Sequence, residues 1–391
     1  MYSNTRFGEL MKGLPRGYFE RTVERLGADK HTKGFGSWDQ LVAMLYAQLS
    51  GCRSLREVEV GFNQHSAHHY HLGTRAIRRS TLADANSRRG SQLFAGLCAQ
   101  LSRQAHRKLK GELGNLLYLI DSTPIPLKGL GYDSWAPAGR TDRTQGLKVH
   151  MLLAAEAAVP VEQVITPPNV NDVEVGRGFP IESGATYVFD KGYCDYNWWY
   201  RLQQQAAFFV TRLKRNAGIE IVEQRGVPTG DGAGIIEDAV IRFRHKRPGG
   251  QRMNAYHGTL LRRLVVARPD KRTPLILVTN DRERSAAEIA ALYKQRWEIE
   301  LFFKWLKQNL KIKRFLGRSE NAVKIQLYTA LIAYLLVHLY RKRTGIRDSL
   351  KLCLVALGEG LFQRPATEQR VAHRRRRQRQ AWDALQPRLA L

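Results

Sequence analysis

The sequence predicts an α/β protein: a helical first part, a core of short strands and helices, and a mostly β segment set into that core. Three observations carry this. Residues 1–108 place apolar side chains at helical spacing between tight turns. Two short apolar runs, 116–121 and 187–190, each end in an acid, as a buried strand meeting a polar end would. Residues 214–282 alternate strand-like runs with Gly- and Pro-rich turns.

In chain order, 7–15 reads as a short helix ending at a turn. Residues 38–49 have clear 3.6-residue apolar spacing, with Ser37 as the expected N-cap. Ser54 opens another helix, and 80–89 follows a basic turn at 75–79. Short helices with basic residues at one helix start fit a helix-turn-helix reader of nucleic acid, and equally a plain helical bundle. Arg88 and Arg89 close that segment as candidate phosphate contacts. Residues 109–213 form the first part of the core. Strands are expected at 116–121, 146–154, 161–165, 187–190 and 207–213, with a loop at 169–172 leading into a helix and another helix at 195–205. The β segment supplies strands at 219–222, 239–244, 260–266 and 275–279. Residues 283–345 resume the core with helices from about Ser285, the second at 322–343. Within it, the apolar run 327–340 is too short to span a bilayer and reads as buried. Residues 346–391 form a basic C-terminal region whose run 373–379 suits either a phosphate grip or a solvated tail.

Length and composition narrow the partners. The 391 residues suffice for two or three domains. The 43% hydrophobic content is ordinary for a globular protein and excludes wholesale disorder. A formal net charge of +28, from 63 Lys+Arg against 35 Asp+Glu, is costly in self-repulsion unless a polyanion neutralises it. Nucleic acid is the expected partner, with salt-sensitive affinity. Cys52, Cys98, Cys194 and Cys353 are scattered, with no CxxC pair, which points to a reducing compartment and no zinc site. No charged-then-apolar leader opens the chain, so a cytoplasmic location without membrane attachment is expected.

The chemistry concentrates near residue 300. On one continuous helix, at about 100° per residue, Tyr293, Arg296, Glu300, Lys304 and Lys307 would share an arc of roughly 80°. Glu298 would lie roughly 140° from Tyr293, facing away from that row. Leu292, Ile299, Phe303, Leu306 and Leu310 form an apolar stripe beside it. A carboxylate among cations can hold a hard metal ion while its neighbours hold phosphates. Asp121 and Asp190, each at the end of an apolar run, are the candidate partners of Glu300. Two divalent ions about 3.5–4 Å apart need carboxylates converging from separate rigid elements. Mg²⁺ suits such a site, because it takes a few carboxylates and completes its shell with water and substrate phosphate. The competing view is a surface helix laced with ion pairs such as Glu300 with Lys304. It leaves Tyr293 and Arg296 in the row unexplained.

The spacing Tyr293-x2-Arg296-x3-Glu300-x6-Lys307 resembles the signature of the insertion-sequence-four family of bacterial DDE transposases. Leu119-Ile-Asp121-Ser-Thr is similar to that family's first acidic motif, and Val188-Phe-Asp190-Lys-Gly-Tyr193 to its second. Residues 146–150 and 165–172 are similar to the stretch between them, and 80–89 to part of the family's helical N-terminal region. The resemblance covers roughly residues 5–340. It implies an RNase H-like catalytic core with a β-rich insertion, after an all-α N-terminal DNA-binding domain. It implies Asp121, Asp190 and Glu300 as the triad holding Mg²⁺ or Mn²⁺, two ions per site, with Tyr293, Arg296 and Lys307 on the DNA near the cleaved end. It further implies homodimers on double-stranded DNA that bind terminal inverted repeats, cut the element free and join its 3′-hydroxyls to target DNA in the bacterial cytoplasm, at the nucleoid. Several family members pass through a hairpin and stack an aromatic of the insertion on a flipped base. Here no Trp lies between residues 200 and 296, and Tyr256 is the nearest candidate.

Two alternatives remain at the level of sequence: an RNase H-like nuclease without strand transfer, and a DNA-binding protein with a decayed site. The intact acids and basic row argue against decay. His65, His68, His69 and His71 could suggest a metal, but no Cys accompanies them, and a short helix carrying surface histidines explains them as well. His150, on the predicted strand beside Asp121, reads either as a supporting group for the site or as a satisfied core histidine.

Overall fold

The computed structural model describes residues 5–110, 116–127, 129, 131–136, 145–227, 234–248, 252–269, 272–364, 376–378 and 380. Most of the basic run 373–379 lies outside these. Before the first strand come helices α1 (Arg6–Met11), α2 (Arg16–Leu26), α3 (Ser37–Ser50), α4 (Leu55–Asn63), α5 (His69–Leu72), α6 (Arg79–Arg88) and α7 (Gln92–Lys110). Ser54 caps α4 as expected, accepting from the Glu57 amide. Ser37 does not cap α3. Its amide and hydroxyl are both drawn to Asp29, so Gly36 takes the cap position and its N–H donates to Asp39 at 2.9 Å. The helix ends on Gly51 at φ +74°, a left-handed turn that glycine makes without a Cβ penalty.

The strands are β1 (Leu117–Pro126), β2 (Gly146–Ala154), β3 (Val159–Thr166), β4 (Thr186–Phe189), β5 (Phe208–Arg212), β6 (Ile219–Gln224), β7 (Ile235–Phe243), β8 (Leu261–Val266) and β9 (Leu275–Thr279). They join in one sheet of order β3-β2-β1-β4-β5-β9-β8-β7-β6. β1, β4 and β5 run parallel, separated in the chain by α8 (Asp172–Gly176) and α9 (Tyr196–Gln204). The β segment therefore continues the core sheet. β9 pairs with β5 and covers what would be an open edge, and β8, β7 and β6 follow.

Side chains alternate across the sheet with period two. Leu119, Val149, Leu153, Val188 and Val210 face a core shared with the helices. Ile120, Leu152, Phe189 and Phe209 face the opposite side, against Trp198 and Trp199 of α9. The last helices are α10 (Ala286–Lys294), α11 (Trp297–Asn309), α12 (Glu320–Thr344) and α13 (Leu350–Gly358). α12 extends well past its apolar run and is long and apolar enough to cross a bilayer. Most of that stretch is instead buried within the fold, where α12 packs on α3 and α7.

His338 of α12 is buried beside Tyr334, and its Nε2 has no hydrogen-bond partner. Burial, reinforced by Lys342 and Arg341, pushes its pKa down from 6.5 to about 4. The folded state thus prefers neutral His338, and the unfolded chain takes up the proton first as the pH falls. Its contribution to stability is complete above pH 6.5 and is lost as the pH drops towards 4. In melts over that window, His338→Leu should flatten the acid-side fall in Tm; a profile identical to wild type would refute this.

Candidate active site

The register of the parallel strands brings the two aspartates together. Leu119 pairs with Val188 and Ile120 with Phe189, so Asp121 and Asp190 are the next residues on two adjacent strands. Asp121 does not end its strand, contrary to expectation: β1 continues to Pro126 because β2 pairs with it as far as Gly146. Asp190 directly follows β4 and opens a short turn, Lys191–Tyr193.

The expected single helix from Tyr293 to Lys307 is two. Gln295 and Arg296 keep right-handed helical dihedrals, but Arg296 N bonds to Tyr293 O and Glu298 N to Gln295 O, three residues back instead of four. That tighter turn divides α10 from α11. Tyr293, on α10, is buried, with its hydroxyl 3.5 Å from Asp190 Oδ1. Arg296, at the break, donates to Glu300 Oε1 at 2.6 Å and stands 3.7 Å from Asp121 Oδ2. It therefore bridges two of the three acids. Glu300 is half-buried while Glu298 is exposed, as the angular argument predicted. Ile299, Phe303, Leu306 and Leu310 are buried as the apolar stripe, joined by Phe302. The partner of Glu300 is Arg296; Lys304 lies exposed on the rim.

Lys307 points back at β1, donating to Thr123 Oγ1 at 2.7 Å. Asp121, Thr123, Glu300, Lys304, Lys307 and Lys313 line one open cleft of about 420 Å³. Burial raises the Asp121 pKa to about 6; the Ser122 amide and Arg296 oppose the shift, and Glu300 and Asp190 add to it. Burial works against the charge of Arg296, but the bond to Glu300 and the charges around it leave its pKa raised. Burial and nearby Lys313 lower that of Lys307.

Three groups escaped the sequence. Arg212, at the end of β5, stands 3.5 Å from Asp190 Oδ1 and looked like an ordinary strand residue. Lys313 lies beyond α11. Trp297, 54% exposed, lies one residue past the Trp-free stretch 200–296. Tyr256 cannot meet an extruded base: it is fully buried, with its hydroxyl donating to Gln203 at 2.6 Å. Arg88 is exposed, but Arg89 is not available as a DNA contact. Its side chain is 12% exposed, with the guanidinium paired with Asp29 at 3.4 Å and hydrogen-bonded to Gln40 and the Phe35 carbonyl. Three of the four histidines are occupied internally: His65 and His68 stack on Phe362, and His69 on Phe62, whose carbonyl its Nε2 meets at 3.0 Å, while His71 is exposed.

Among the described residues, no three His, Cys, Asp or Glu side chains are spaced to enclose one ion. The donors still fit a hard divalent cation. All are carboxylate oxygens, those of Asp121 and Glu300 lining the open cleft, and Mg²⁺ needs only one or two of them beside water and phosphate. Arg296 occupies the gap between Asp121 and Glu300 as a counter-charge.

A family model described as a transposase DDE domain matches residues 113–336, and one described as a domain of unknown function, DUF4372, matches residues 2–75. A relative from Sinorhizobium fredii that carries the transposase name y4zB is 47% identical over 260 residues, 66% of this chain and 70% of that protein. One from Geobacillus stearothermophilus, named as the transposase for insertion sequence element IS5377, is 27% identical over 69% of this chain and 68% of its own length. A cryo-EM structure of the piggyBac transposase synaptic complex with hairpin DNA aligns at TM-score 0.48 and 11% identity, covering 91% of this chain and 79% of that one, too slight a likeness to argue from.

Proposed function

Because the chain belongs to the transposase DDE-domain family and is a DNA transposase, we propose that Asp121, Asp190 and Glu300 are its catalytic acids and that it moves an insertion sequence by cut and paste. The supporting observation is the register that sends Asp121 and Asp190 off adjacent parallel strands, with Arg296 joining Asp121 to Glu300. On this reading 109–213 and 283–345 form an RNase H-like core, 214–282 its insertion, and 1–108 an all-α domain on the terminal inverted repeats. The protein acts as a homodimer on double-stranded DNA in the cytoplasm, at the nucleoid, with Mg²⁺ or Mn²⁺.

The three acids would hold two divalent ions, which when bound activate water or a 3′-hydroxyl and stabilise the leaving oxygen. The chain's own residues orient the DNA. Lys307, held by Thr123 beside Asp121, and Lys304 on the rim meet phosphates flanking the scissile bond. Arg296 exchanges a carboxylate for a phosphate oxygen as DNA enters, freeing Glu300. Tyr293 and Arg212 hold the orientation of Asp190. Trp297, exposed three residues before Glu300, is the aromatic available to stack on an unpaired base.

Purified protein with Mg²⁺ and a supercoiled plasmid carrying the flanked element should release the linear element. Nicking or linearisation without release would favour the nuclease. Lys307→Ala should weaken duplex binding and lower the salt slope by about one unit. An unchanged slope would mean that Lys307 meets no phosphate.

A further inference from the structure

Beside the acidic cleft, Asp172 gathers groups from two strands. Ser122 Oγ donates to its Oδ1 at 2.8 Å, and Lys148 Nζ to the same oxygen at 3.1 Å. His150 Nδ1 lies 3.4 Å from it. Asp172 is in the first turn of α8, but Asn171 does the capping there, accepting from Val173 N, so the aspartate is free to reach the sheet. Its other oxygen faces the turn after Asp190: a Cβ built on Gly192 would lie 3.8 Å from Asp172 Oδ2. Ser122 is the link to the site, because its amide donates to Asp121 Oδ1 at 2.8 Å while its hydroxyl is held by Asp172. Lys148 is fixed in turn by the Val170 carbonyl at 2.8 Å.

His150 belongs to the same assembly. His150 Nε2 and Pro167 O both lie 2.9 Å from Thr166 Oγ1, so that hydroxyl bridges ring and backbone. His150 Nδ1 is buried and makes no hydrogen bond, so Lys148 and Ser122 are the groups that place the carboxylate.

We propose that Asp172 is a positioning residue for the reaction: through Ser122 it fixes the direction of Asp121, and hence the geometry in which the site takes up its divalent metal. This rests on the reading of Asp121 as a metal-binding acid. A purely structural carboxylate would neutralise Lys148 and leave metal affinity alone. Outer partners that orient a ligand typically change metal affinity or activity by roughly 10–100-fold when removed.

The test measures Mn²⁺ affinity of the full chain by electron paramagnetic resonance, with thermal melts in EDTA for each protein. Asp172→Ala should bind Mn²⁺ roughly tenfold more weakly. Asp172→Asn, which keeps an acceptor for Ser122, should lose less. Ser122→Ala should also weaken binding, and the Asp172→Ala/Ser122→Ala double variant should be no weaker than Asp172→Ala alone, since both act through one link. If Asp172→Ala fails to fold, Ser122→Ala decides the matter. Wild-type Mn²⁺ affinity in Asp172→Ala or Ser122→Ala, or losses in the double variant that simply multiply, would overturn the proposal. A wild-type protein that binds no Mn²⁺ would instead bring down the assignment of Asp121, and the role of Asp172 with it.

Discussion

Glu300→Gln should leave a protein that folds and binds element-end DNA but has lost on the order of 10³-fold or more of its cleavage rate. The glutamine amide oxygen can still accept from Arg296, so the 2.6 Å contact at the α10–α11 break is preserved in kind. What disappears is the negative charge available to a divalent ion. Single-turnover cleavage of an end-labelled duplex in Mg²⁺, read beside binding in EDTA, separates the two effects. A loss below tenfold would remove Glu300 from the chemistry. A parallel loss of binding would make it a folding or docking residue.

Asp238→Ala should cost about 3–5 kcal/mol of stability, because it strips the partner from a buried charge. Asp238 on β7 and Arg262 on β8 are each almost wholly buried and form a two-pronged pair, Nε to Oδ1 at 2.9 Å and Nη2 to Oδ2 at 2.7 Å. The same guanidinium donates to the Arg284 carbonyl, next to the Ser285 cap of α10. The pair thus ties the far strands to the helix that leads into Glu300. Denaturant unfolding should register the loss. Replacing both partners with apolar residues, Asp238→Leu with Arg262→Met, should recover most of it. A cost below about 1 kcal/mol for Asp238→Ala would show that water reaches the arginine.

The strands were legible because burial leaves a local mark. β2 falls at the predicted bounds, since its residues are almost all buried and its run is unbroken. The aspartates stand out because each follows an apolar run, and Glu300 differs from Glu298 because helix angle depends only on spacing, a difference their burial follows. What escaped depends on distant partners. The fate of Arg89 is decided by Asp29 and Phe35, far back in the chain, and no local pattern announces that. Ser37 looks like a cap until Asp29 takes its hydroxyl. The break at Gln295 and Arg296 leaves their dihedrals helical and shifts only the hydrogen bonds, so apolar periodicity runs through it unmarked. That the β segment extends the core sheet is settled by which strand covers the β5 edge, a choice made across more than 60 residues of chain.

The most direct test of the central claim is a crystal of the protein on cleaved element-end DNA, soaked in Mn²⁺ and measured for anomalous scattering. Two peaks about 3.5–4 Å apart are expected, bounded by Asp121, Asp190, Glu300 and a DNA phosphate, with Arg296 turned off Glu300. Anomalous density elsewhere, or a Glu300 still clasped by Arg296 with no ion beside Asp121, would contradict it.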